Sequence, residues 1–286
     1  MASSSSNSIE EEATPPPWEK LPREITAAIL LKLGAVEILT TAVEVCTTWR
    51  SVSMQPSMWR YVRMEKSDVE WPHDFDDLCR RAVDLSQGQL IGITLKGSGT
   101  NDLLLYISQR SGQLKHLALV NCYDITGEGV KEAVKNLPLL ENLYLNHTYI
   151  DVEAIETVGR SCPLLKFFIL TSFDWRSGES DEEALAIAQN MPGLVELRIF
   201  GNRMTNVGLK AILEGCLHLK SLYMRRCHNV NFGKLCSERI KDLKLDVDSI
   251  KKYEEEILCL FAKCSCALLR SRSDAKSEVS LTELLR

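Results

Sequence analysis

The amino-acid sequence predicts an α/β protein: a small N-terminal helical module followed by a curved solenoid with parallel strands inside and helices outside. Three observations predict it. One nine-residue apolar frame recurs along most of the chain. A helical pattern follows each copy. The opening stretch Trp18–Trp59 is apolar at helical spacing, yet too short to bury a core of its own.

Met1–Pro17 (MASSSSNSIEEEATPPP) comes first and has no apolar run. It is expected to be a disordered lead-in over 1–17 rather than a signal peptide. From Trp18, Leu21, Ile25, Ile29 and Leu33 form a stripe at helical spacing, with Pro22 fixing the entry turn. Ile38, Leu39, Ala42 and Val45 continue it, then Cys46, Trp49, Val52 and Trp59. This module is expected over 18–60, separable from the rest of the chain. A helical joint is expected over 61–89.

The repeat frame is LKHLALVNC, LENLYLNHT, LKFFILTSF, LVELRIFGN and LKSLYMRRC, from Leu114, Leu140, Leu165, Leu194 and Leu219; the starts lie 26, 25, 29 and 25 residues apart. Positions 1, 4 and 6 are apolar in every copy, and Asn or Cys recurs at position 9. That is the leucine-rich-repeat signature. Positions 4 and 6 share the two-residue strand period, so Leu117 and Leu119 point inward together. LIGITLKGS at Leu90 and IKDLKL at Ile240 extend the series, giving about six to seven repeats over 90–247. Between strands, Thr126 can cap a helix, Ser180 with Glu183 fits a capping box, and Thr205 or Asn206 opens another helix. Residues 248–286 are expected to hold one amphipathic helix and a loose end.

Composition removes several functions. A net charge of −5 and a pI near 5.7 argue against nucleic acid, which needs a basic face. No membrane span is expected; the nearest apolar run, Ile257–Leu269, is short and carries Lys263. Ten cysteines in an unsecreted chain should be reduced. Cys122 and Cys227 fall at repeat position 9, and Cys162 and Cys216 end helices, so packing explains all four. Cys259, Cys264 and Cys266 lack the histidine or second pair that zinc would need, so no metal or cofactor is expected. Asn146-His147-Thr148 fits a glycosylation sequon without a secretory context. There is no G-x-S-x-G, no phosphate-binding glycine loop and no evident Cys–His pair. His116 and His218 lie in or beside repeat strands. The chain is not expected to be an enzyme.

LPREITAAILLKL…VEILTTAVEVCTTWRSVSMQPSMW resembles an F-box: LP, a spaced Ile/Leu series, VC-x-x-WR, then P-x-x-W. With the repeats behind it, the chain looks most like a plant F-box/leucine-rich-repeat protein. The resemblance implies docking on a Skp-type adaptor, and through it on a cullin-based ubiquitin ligase in cytoplasm or nucleus. It assigns adaptor contacts to Leu21, Pro22, Ile25, Leu39, Val45, Cys46 and Trp49. The repeats would hold an unknown protein substrate. An interaction scaffold without ligase association is the alternative. On the outward strand positions Tyr144, Phe167, Ile169, Phe200 and Tyr223 exceed what solubility needs. The expected recognition patch is Tyr144, Arg198, Phe200, Tyr223 and Arg225, with Trp175 at its rim. The competing reading is that these aromatics only stack between neighbouring strands.

Overall fold

The helices that open the chain are too short to stand alone, and the structure shows what completes them. The computed structural model describes residues 21–66, 74–171, 178–230 and, for the backbone only, 242–245. Helix α1 (Arg23–Leu30) starts at Pro22 and turns only Thr26 and Leu30 fully inward. Then come α2 (Ala35–Glu37), a π-helical turn (Ile38–Ala42), α3 (Val43–Val45), α4 (Thr47–Ser53) and a 3₁₀ turn (Pro56–Trp59).

Strand β1 (Tyr61–Glu65) follows at once and pairs in parallel with β2 (Gly92–Lys96). The segment expected as a helical joint therefore begins with a strand and continues with α5 (Phe75–Leu85). Trp59 stands two residues before β1, as Leu90 stands before β2; Val62 and Met64 follow at the inward strand positions. The last aromatic of the helical module is thus the first anchor of the solenoid. Its indole N–H donates to the Ser53 carbonyl at 2.7 Å, back within the module.

Six more strands continue the ladder: β3 (His116–Val120), β4 (Asn142–Asn146), β5 (Phe167–Thr171), β6 (Glu196–Phe200), β7 (Ser221–Arg225) and β8 (Asp242–Leu245). All eight lie in one parallel sheet in chain order. Their inward positions stack in register, Ile93 on Leu117 on Leu143 and Leu95 on Leu119 on Leu145. Helices α6 (Asn101–Arg110), α7 (Gly127–Val134), α8 (Val152–Ser161), α9 (Glu182–Asn190) and α10 (Asn206–Gly215) cross between strands. One continuous buried core runs from Leu30 to Val230, so the helical module and the repeats are not separate domains. Helix α2 packs on β1 and the 3₁₀ turn on α5, while Arg81 reaches the Leu39 carbonyl at 3.5 Å.

The turns out of β2, β3, β4, β6 and β7 are built the same way. Gly97, Asn121, His147, Gly201 and Arg226, each one residue past a strand, have φ of 80°, 55°, 55°, 65° and 52°. Left-handed backbone costs a non-glycine residue strain. A hydrogen bond between the His147 ring and Asn121, 2.8 Å, helps to hold two of these turns. The helix starts are then tied from repeat to repeat. Thr100 donates to Asp76, the Asn101 side-chain oxygen accepts from the Thr126 N–H, and Asp181 accepts from the Thr205 and Gly208 N–H groups.

This ladder corrects two expected caps. Thr126 sits at the N-cap of α7, but its hydroxyl makes no cap bond and accepts from Asn101 instead. Asp181, not Ser180, precedes α9, and Glu183 accepts from Asn202 rather than closing a capping box. Thr205 does cap α10, accepting from the Val207 N–H.

Cys122, Cys162, Cys216 and Cys227 are buried, as expected of packing residues. Cys122 donates to the Leu95 and Ser98 carbonyls, and Cys227 to those of Ile199 and Arg225. Burial pushes the Cys122 and Cys162 thiols up to about 12, and those of Cys216 and Cys227 to about 11. All stay protonated near neutrality.

Removing residues 1–60 would strip Met58 and Trp59 from this core and uncover β1. Residues 61–286 alone should aggregate, or melt well below the full chain, on expression and thermal unfolding. A soluble product with an unchanged melting temperature would contradict the shared core.

Candidate protein-binding surfaces

Two surfaces present the residues singled out in the sequence. The first is the outer side of the helical module. Because α1 spends only Thr26 and Leu30 on full burial, the Leu21–Ile25–Ile29 stripe faces away from that contact. Ile25 is 45% exposed and Pro22 is exposed, with Leu21 half-buried beside them. Across the module, Val45 is 55% exposed and Cys46 half-buried. Cys46 is extended and caps α4, its sulfur accepting from the Trp49 N–H at 3.5 Å. Arg23 donates to Ser51 at 2.7 Å, which fastens the start of α1 to α4. Leu31, 41% exposed, adds to the apolar surface and was not singled out in the sequence.

Two expected contacts sit differently. Leu39 is 2% exposed and belongs to the core. Its neighbours wind as a π-helix, whose wider turn shifts the phase of the stripe and carries Ile38, Leu39 and Ala42 inward together. Trp49 is half-buried against the same core, and its indole nitrogen is buried without a hydrogen bond.

The second surface is the strand face opposite the inward leucines. Ala118, Tyr144 and Ile169, neighbours across β3, β4 and β5, form a small apolar cluster with Phe200 against it. Tyr144 is only 4% exposed, so it does not lie on an open recognition patch. Its hydroxyl accepts from Asn142 at 3.2 Å. Arg198 is 8% exposed; it pairs with Glu196 and its guanidinium lies 4.4 Å from the Tyr223 ring centre. Both residues serve cross-strand stacking, the competing reading of these side chains. Phe200, Tyr223 and Arg225 are half-buried on the same face. At its other end the Tyr61 and His116 rings lie 6.2 Å apart across Gly92, where a Cβ would come within 2.8 Å of the Tyr61 ring. Burial pulls the His116 pKa down, so the ring is neutral there. Trp175 lies outside the described residues, as do Cys259, Cys264 and Cys266. Among the described residues no His, Cys, Asp and Glu cluster could hold a metal.

Comparison with known proteins gives this arrangement its family. The F-box-like family model matches residues 18–65, reaching through β1. Three Arabidopsis thaliana proteins are similar over most of the chain. F-box/LRR-repeat protein 23 is 44% identical over 81% of this chain and 54% of its own length. F-box/LRR-repeat protein 22 is 41% identical over 88% and 84%, and F-box protein SKIP19 is 43% identical over 82% and 78%. The chain belongs to the plant F-box/leucine-rich-repeat family. It spans about half the length of the first of these relatives and most of the other two. Among solved structures, the tropomodulin C-terminal domain of Caenorhabditis elegans aligns with 50% of this chain and 92% of its own, at 14% identity and a TM-score of 0.39.

In this F-box/leucine-rich-repeat chain, Tyr144→Ala tests the stacking role. Emptying a buried aromatic site should cost about 3 kcal/mol, read as a clear drop in melting temperature. Wild-type stability would return Tyr144 to the open surface.

Proposed function

We propose that the chain is the substrate-recognition subunit of a Skp–cullin–F-box ubiquitin ligase, working in the cytoplasm or nucleus. The observation that carries the reading is the exposed apolar face of the helical module. Ile25 and Val45 stay in water although the core beside them is full, which is what an interface awaiting a partner requires. The adaptor would cover Leu21, Pro22, Ile25, Val45 and Cys46, with Trp49 supporting the surface from below. The family membership and the F-box-like match over 18–65 support the same partner.

In this reading the chain does no chemistry. It holds one end on the adaptor and a substrate on the repeats, and tethering raises the concentration of substrate lysines near the activated ubiquitin. Phe200, Tyr223 and Arg225 remain as proposed substrate contacts, now without Tyr144 and Arg198.

Ile25→Ala with Val45→Ala tests the anchor. Both side chains are about half exposed, so folding should be unaffected. Buried interface anchors are worth about 2 kcal/mol each, so adaptor pull-down should fall below detection at unchanged melting temperature. Full retention of the adaptor would overturn the proposal.

A further inference from the structure

Two residues past each strand, at repeat position 9, a side chain normally secures the turn. Cys122 and Cys227 donate to main-chain carbonyls, and Asn202 accepts from the Met204 N–H. Thr148 holds the same position, is 3% exposed, and its hydroxyl has no hydrogen-bond partner. A cavity of about 540 Å³ lies beside it, lined by Thr148 and by residues of the successive loops: Thr126–Glu128, Tyr149–Val152, Ser180 with Glu182 and Glu183, and Asn202 with Arg203. Leu170 and Thr171 at the end of β5 also line it.

The charges in the wall decide what fits. Among the described residues four carboxylates line it, Glu128, Asp151, Glu182 and Glu183, against one guanidinium, Arg203. The N-termini of α7, α8 and α9 also face it, each worth about half a positive charge. Together they and Arg203 offset about two and a half charges, leaving an excess of about one and a half negative. Asp151 is partly spent on the Ala154 N–H, Glu183 on Asn202, and Glu128 on Lys131. An anion would meet four carboxylates. Ile150, Val152 and Leu170 supply apolar wall, and Tyr149 an aromatic edge. A cation on an apolar stem suits both features, and several separated acceptors suit a guanidinium better than an ammonium.

We infer that this cavity receives an arginine side chain of the protein to be ubiquitinated. The inference rests on the substrate-receptor reading above and names the chemistry its substrate must show.

The probes are N-acetyl-arginine amide, the lysine analogue and the norleucine analogue, observed by saturation-transfer NMR on the full chain co-purified with its adaptor. The arginine probe should bind, lysine more weakly, norleucine not at all. Glu128→Gln with Glu182→Gln should weaken arginine binding by about fivefold, the scale of two partly exposed charge pairs. Glu132→Gln with Glu156→Gln, an equal charge change on helices α7 and α8 outside the cavity, should leave it unaltered. No arginine signal in a preparation that still holds the adaptor would overturn the inference alone. So would equal loss in both double variants, or lysine binding as well as arginine. Absence of the adaptor would count instead against the substrate-receptor reading.

Discussion

The burial of Trp59 is the constraint on which the two parts of the molecule depend. One side chain closes the helical module, through its hydrogen bond to Ser53, and occupies the first anchor position of the repeat ladder. A stack of parallel strands needs each inward pair covered by its neighbour, and its first strand has no preceding repeat. Here the helical module takes that place, with α2 packed on β1. An under-sized bundle and an uncapped solenoid each supply what the other lacks.

That arrangement also explains the open apolar face. Thr26, Leu30, Ile38, Leu39 and Val52 face the shared core. The module's remaining apolar residues, chiefly Ile25, Leu31 and Val45, then have nowhere to go but outward. In the proposed reading, the side that the solenoid leaves open is the one a partner takes. Position on the chain and position in the fold are therefore linked: the module and the repeats share one core rather than being strung on a linker.

Most of the solenoid was legible because the strand period is strict: Leu117 and Leu119, Leu143 and Leu145 face inward as their spacing demands. β1 was not, because its anchor is Trp59 rather than leucine and its inward pair is Val62 and Met64. Leu39 was misplaced because helical spacing assumes an α-helix, and the π-turn moves the phase. Asp181 was missed because a capping pattern looks only at its own helix, whereas this carboxylate bonds the next repeat. Tyr144 and Arg198 read as surface because outward strand positions are normally wet. Their cross-strand neighbours Ile169 and Tyr223 are visible only once the register is known. Of the residues that the sequence assigned to an adaptor, Leu21, Pro22, Ile25, Val45 and Cys46 reach the surface or its edge, as helical spacing led one to expect.

The central claim is that one core joins module and solenoid, and the proposal built on it is that the module's exposed apolar residues receive the adaptor. Hydrogen exchange of the full chain, with and without a Skp-type adaptor, tests it most directly. The account predicts that the amides of α4 and β1 exchange at the rate of the repeat strands in the free chain. Adaptor binding should add protection only around Leu21–Leu31 and Val43–Trp49. A module that exchanges far faster than the repeats, or adaptor protection spread over β4 to β7, would contradict it.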